Sequence, residues 1–98
     1  MMQELIYYNN LYDHYKELLT PKQRKYFEDY YFKNLSLSEM AENYDVSRNA
    51  IYKQLQIVLK KLDQYEEKLG LFQRRGMMEI LINKIDDDKL KKKIRDNL

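Results

Sequence analysis

Residues 36–55 read SLSEMAENYDVSRNAIYKQL, and they decide the fold because two helix starts and one tight turn fall within this single stretch. Ser36 followed three residues later by Glu39 is a capping box, in which each side chain satisfies the other's backbone amide at a helix N-terminus. Leu37, Met40, Ala41 and Tyr44 then recur on one helical face, so the first helix is expected to end near Tyr44. Asp45 tolerates a left-handed backbone better than a branched residue would, Val46 can plug the core, and Ser47 can cap a second helix. The turn is therefore about three residues long, as a helix-turn-helix requires. Ala41 is small where the helices must cross, and Ile51 can fill the core beneath both. Many such motifs place glycine at the turn, and Asp45 departs from that preference.

Working outward, the sequence predicts helices on both sides. Leu5, Tyr8, Tyr12, Tyr15 and Leu19 follow alternating steps of four and three, which predicts a first helix over residues 3–18. Thr20, Pro21 and Gln23 form a second capping box with proline at the first helical position, opening a helix that runs to about Phe32 and buries Phe27, Tyr30 and Tyr31. The helix after Ser47 is the longest. Ile51, Leu55, Val58, Leu62, Tyr65, Leu69 and Phe72 form a heptad seam, with Gly70 its one expected interruption. The first half of that seam is expected to pack on the second and third helices. The second half extends beyond so small a domain, and the seam of the first helix can cover it from the same or from another subunit. A fifth helix is expected after Gly76, through Met78, Leu81, Ile82 and Ile85, and a short charged sixth helix follows. The expected fold is all-α: one small helical domain over residues 1–98, a helix-turn-helix at 36–62 with a long fourth helix, and charged C-terminal helices at 77–98.

Composition bounds the class of molecule. The chain has 98 residues, of which 44% are hydrophobic and 35% charged, the balance of a soluble folded protein. A chain of this size buries only about two-thirds of its unfolded surface, so two apolar seams predict a homodimer. With no cysteine there is neither a disulfide framework nor a thiolate metal site. The start MMQELIYYNN carries an acid and no long apolar run, so no signal peptide is expected, and a cytoplasmic protein with no membrane partner is. His14 is the single histidine and is read as a surface or packing residue rather than a ligand. Asp86, Asp87 and Asp88 stand where a helix N-terminus favours negative charge, and Asp87 with Lys91 or Asp88 with Lys92 have ion-pair spacing, so they are read as a cap rather than a magnesium site. There is no glycine-rich phosphate loop or nucleophile elbow. The chain is expected to be no enzyme and to need no cofactor or metal.

The net charge of +2 is small, but its distribution is uneven. Residues 47–62 carry four basic side chains, Arg48, Lys53, Lys60 and Lys61, and no acid, whereas residues 36–46 carry Glu39, Glu42 and Asp45 and no base. With Ile51, Leu55, Val58 and Leu62 inward, a rotation of about 100° per residue turns Asn49, Lys53, Gln56 and Lys60 outward, flanked by Arg48 and Tyr52. Asn and Gln can bond adenine edges bidentately, Arg and Lys favour guanine, and tyrosine can meet a thymine methyl or a phosphate. Ser36 and Ser47 lie at helix starts, where a hydroxyl and free amides together suit a phosphate, with Ser38 beside them. Lys22, Arg24 and Lys25 can add further charge toward a backbone. The expected DNA-binding residues are Ser36, Ser47, Arg48, Asn49, Tyr52, Lys53, Gln56 and Lys60, and the expected partner is double-stranded DNA.

The stretch LTPKQRKYFEDYYFKNLSLSEMAENYDVSRNAIYKQL, residues 19–55, with YEEKLGLF at 65–72, resembles the YlxM family of helix-turn-helix proteins of Gram-positive bacteria. The DNA-binding part of that family is similar to region 4 of bacterial sigma factors. The resemblance covers about residues 11–72, is strongest in LTPKQR and VSRNAIY, and fades after Gly76. It implies an all-helical fold and a regulatory role. Family genes commonly neighbour that of the signal recognition particle GTPase, which implies a second reading: a protein-interaction adaptor with signal recognition particle components as partners. The acidic third helix favours the adaptor, and the unpaired basic face of the fourth favours DNA.

Overall fold

The computed structural model describes the backbone of residues 2–98 and the side chains of residues 4–98. Six α-helices follow one another: α1 (Met2–Tyr15), α2 (Pro21–Tyr31), α3 (Leu37–Tyr44), α4 (Arg48–Leu69), α5 (Leu71–Ile82) and α6 (Asp88–Asp96). There is no strand among the described residues. The first helix is shorter than its apolar spacing predicts, because Lys16–Leu18 tighten into a 3₁₀ turn before the cap of α2.

The helix starts are those that the short-range bonds dictate. Gln23 donates its amide to Thr20 Oγ1 at 3.1 Å while Thr20 donates to Gln23 Oε1 at 3.0 Å. Ser36 and Glu39 repeat this at 3.0 and 3.1 Å, and the Ala50 amide donates to Ser47 Oγ at 3.0 Å. Asp87 accepts from the amides of Lys89 and Leu90, so its carboxylate caps α6. The expected pairs Asp87 with Lys91 and Asp88 with Lys92 are not formed, since the cap turns Asp87 toward the backbone.

Two apolar clusters lie along α4, which is the spine of the molecule. Leu11, Tyr12, Tyr15, Leu19, Phe27, Val58 and Leu62 form one, joining α1 and α2 to the middle of α4. Tyr26, Met40, Ile51 and Leu55 form the other, beneath α3 and the start of α4. The seams of α1 and α4 thus cover one another inside a single chain. Tyr8 donates to Asp63 at 2.9 Å and Tyr15 to Glu66 at 2.6 Å across the same contact. The molecule is a rod of 54 × 25 × 25 Å.

Four expectations are corrected. Tyr30 is 36% exposed and Tyr26 takes its place in the core, because α3 crosses α2 at Tyr26, whose ring meets that of Tyr44 at 4.6 Å. Val46 is 39% exposed, held at the surface by its own backbone bond in the turn. Leu69 is 48% exposed, because the seam ends where Gly70 turns left-handed at φ 60°. Gly76 does not precede the fifth helix but lies inside it. Glycine costs about 1 kcal/mol in a helix interior. Here that cost is offset at the N-terminus of α5, where Leu71 donates to Tyr15 Oη at 2.9 Å, and Phe72 and Gln73 each donate to the Glu66 carboxylate at 3.1 Å.

Candidate nucleic-acid interface

The turn between α3 and α4 is built from backbone bonds. Asp45 sits in the left-handed region at φ 54°, Val46 donates its amide to Ala41 O at 3.1 Å, and Asp45 donates to Glu42 O at 3.3 Å. These are the two bonds of a Schellman motif, which satisfies helix-end carbonyls and sends the chain off at a fixed angle. Ser47 then caps α4, and Ile51 and Leu55 enter the cluster with Met40, against which Ala41 packs. The crossing of α3 and α4 is therefore set by one left-handed residue, one cap and one small side chain.

A second tie anchors α3 from behind. Asp29 is buried, accepts a hydrogen bond from the Tyr44 hydroxyl, and meets Lys33 Nζ at 3.3 Å. Burial and then the bond to Asp29 push the Tyr44 phenol above its ordinary value. A buried carboxylate is costly without such partners. This tie is invisible in the sequence, because Asp29 and Tyr44 lie 15 residues apart on different helices.

On the opposite side of α4 the predicted face is present. Arg48, Asn49, Lys53, Gln56 and Lys60 are exposed, and Tyr52 is 51% exposed. None of Arg48, Lys53 and Lys60 forms an ion pair among the described residues. Asn49 to Gln56 spans about 10 Å at 1.5 Å per residue, close to the width of a major groove. Lys60 lies about 6 Å further along the axis, nearer a groove wall than its floor.

The other candidates are dispersed. Ser47 is exposed at the start of α4, its hydroxyl occupied as the cap. Ser36 caps α3 at the end away from the turn, about 12 Å from it, and borders a groove with Leu5, Tyr30, Tyr31 and Asn34. Arg24 meets Glu17 at 3.6 Å. Lys22 and Lys25 lie over the rings of Tyr26 and Tyr44 at 5.7 and 5.5 Å, so Lys25 stands beside the last residue of α3. Glu39 and Glu42 are exposed on α3, and Asp45 is exposed in the turn that follows it. His14 packs its ring against Phe72 at 6.0 Å. No cluster of metal-ligating side chains occurs among the described residues, and no helix is long and apolar enough to cross a membrane.

Comparison with known proteins agrees with this geometry. A family model described as "Putative helix-turn-helix protein, YlxM / p13 like" matches residues 2–98. A relative from Geobacillus sp. (strain WCH70) is 42% identical over 92 residues, covering 94% of this chain and 84% of the relative. One from Geobacillus kaustophilus is 44% identical over 87 residues, covering 89% and 79%. Another from Listeria innocua is 41% identical over 88 residues, covering 90% and 80%. With its helix pair, Schellman turn and end-to-end family match, the chain belongs to the UPF0122 family of YlxM / p13 like helix-turn-helix proteins.

Proposed function

We propose that the protein is a cytoplasmic, non-enzymatic regulator that binds double-stranded DNA by laying the N-terminal half of α4 in the major groove. The observation that supports this reading is the exposed face of Arg48, Asn49, Tyr52, Lys53 and Gln56, free of ion pairs among the described residues, on the second helix of a locked helix-turn-helix. In this reading Asn49 and Gln56 meet base edges, Lys53 and Arg48 a phosphate or guanine, and Tyr52 a thymine methyl. Lys60 and the amides beside Ser47 hold the flanking backbone, and Ser36 offers a second helix start toward the same strand. Resemblance to sigma region 4 supports the same docking.

Selection of bound duplexes from a random pool, followed by mobility shifts at several salt concentrations, tests it. Lys53→Ala should weaken binding to all sequences and reduce the salt slope by about one, while Asn49→Ala and Gln56→Ala should each cost about 1–3 kcal/mol at one base position. Full affinity in all three variants, or no enrichment of any duplex, would overturn the reading.

The acidic surface of α3 favours a second reading. Glu39, Glu42 and Asp45 lie where phosphates would pass, which suits an adaptor that meets protein or ribonucleoprotein components of the signal recognition particle pathway. A pull-down with those components beside the mobility shift separates the two. The homodimer expected from two uncovered seams loses that support, since α1 and α4 cover each other in one chain. One copy per site is therefore the simpler arrangement, and a second copy would have to meet the first elsewhere.

A further inference from the structure

We propose that the outer face of α5 is a docking groove for an acidic amphipathic helix of another protein. Leu69, Met77, Ile80 and Leu81 are 48, 59, 61 and 56% exposed. Leu69, Met77 and Leu81 line a groove of about 450 Å³ together with Arg74 and Met78, and Ile80 lies beside it on the same helix. Single exposed apolar side chains are ordinary on any surface, but a contiguous row of them on successive turns marks an interaction site. The inner side of α5 is already occupied: Phe72 packs on the main cluster and Ile82 is 2% exposed.

Charge selects the occupant. The single acid of α5, Glu79, is held by Arg75 at 3.6 Å and by Arg95 at 3.2 Å, and helical rotation places it away from Met77 and Leu81. Arg74, on the groove itself, is exposed and has no ion pair among the described residues. An apolar groove with an unpaired arginine on its border fits a helix whose apolar stripe is flanked by Asp or Glu. A second copy of α5 fits it poorly, because it would bring the same arginine and only Glu79, an acid already paired with Arg75 and Arg95. The α5 helix is about 18 Å long, which matches the i, i+3, i+7 anchors of a docked helix, and methionine side chains adapt to a partner's shape. The groove does not rest on the DNA reading, since Leu69 lies about 20 Å along α4 beyond Gln56.

The test uses the full chain with ¹³C-methyl methionine and two synthetic 18-residue amphipathic peptides. Both carry the same leucine stripe, flanked in one by glutamate and in the other by lysine. The glutamate peptide should shift the Met77 and Met78 methyl signals, leave buried Met40 unmoved, and bind at least tenfold more tightly than the lysine peptide. Arg74→Glu should reverse the preference, and Leu81→Gln, at a groove-lining side chain that is 56% exposed, should abolish binding without changing helicity. Equal binding of both peptides, or binding that leaves the Met77 and Met78 signals in place, would overturn the proposal. So would a dimer mass in light scattering whose dissociation on dilution moves those same signals, because the occupant would then be a second copy. DNA affinity measured on Leu81→Gln keeps the two proposals apart, as α4 is untouched.

Discussion

At position 41 the volume of one side chain decides how closely two helices approach. Ala41 packs on the cluster of Met40, Ile51 and Leu55, and its carbonyl accepts the amide of Val46. Leucine there adds three heavy atoms to a contact that the Schellman turn prevents from opening. Ala41→Leu should therefore cost about 1–3 kcal/mol, read as a lower thermal or urea midpoint, and should weaken any DNA affinity by tilting α4. An unchanged midpoint would show that the crossing has slack. Asp45 next door, at φ 54°, explains why glycine is dispensable at the turn: a short polar residue enters the left-handed region at modest cost.

At the scale of elements, the joint between α4 and α5 carries two glycines with opposite roles. Gly70 holds φ 60°, where an added Cβ meets only Glu66 O at 4.0 Å, so the penalty of a side chain there is conformational rather than steric. Gly76 has helical neighbours on both sides and nothing within 4 Å of an added Cβ. Gly70→Ala should destabilise by about 1–2 kcal/mol, and Gly76→Ala should stabilise by about 0.5–1 kcal/mol. Chemical denaturation of the two variants beside the parent checks the signs. The same joint makes stability depend on pH. Burial raises the Glu66 pKa, but bonds from Tyr15, Phe72 and Gln73 outweigh it and hold the group below the usual carboxylate range. A depressed folded pKa gives stability that is present above the unfolded value, about 4.3, and lost as pH falls through the folded one. Glu66→Gln should then be less stable than the parent at pH 7, with the deficit shrinking below about pH 4. A deficit that stays constant across that window would show that the carboxylate charge contributes nothing.

Over the whole molecule, tyrosine hydroxyls tie the helices together through carboxylates. Tyr8 bonds Asp63, Tyr12 bonds Glu28, Tyr15 bonds Glu66 and Tyr44 bonds Asp29, linking α1, α2, α3 and α4. Burial first, and then the bond to the carboxylate, raises each of these phenols, that of Tyr8 to about 12. A raised folded pKa gives stability that is complete below the unfolded value, about 10, and lost as pH rises through the folded one. Stability should accordingly fall above about pH 10, with tyrosinate absorbance and loss of helicity rising together for these four. Titration of all ten tyrosines near the ordinary value, with helicity intact, would contradict the arrangement.

What the sequence determined by itself is whatever depends on neighbours within about five residues. The caps at Thr20, Ser36, Ser47 and Asp87, the left-handed turn at Asp45, and the inward stripe of Ile51, Leu55, Val58 and Leu62 were all legible, because a cap or one helical turn is complete within such a span. The outward side of α4 follows from that stripe by rotation alone, so the exposed candidate face was legible too. Tertiary structure alone decided that α1 covers the seam of α4 within one chain, that Asp29 is buried beneath Tyr44, and that Tyr26 rather than Tyr30 enters the core. It also decided that α5 begins at Leu71, since its N-terminus relies on Tyr15, which lies 56 residues before Leu71. Local spacing says which residues share a face. Only the crossing of distant helices decides how far along that face the burial extends, and there the chain left Leu69, Met77, Ile80 and Leu81 uncovered.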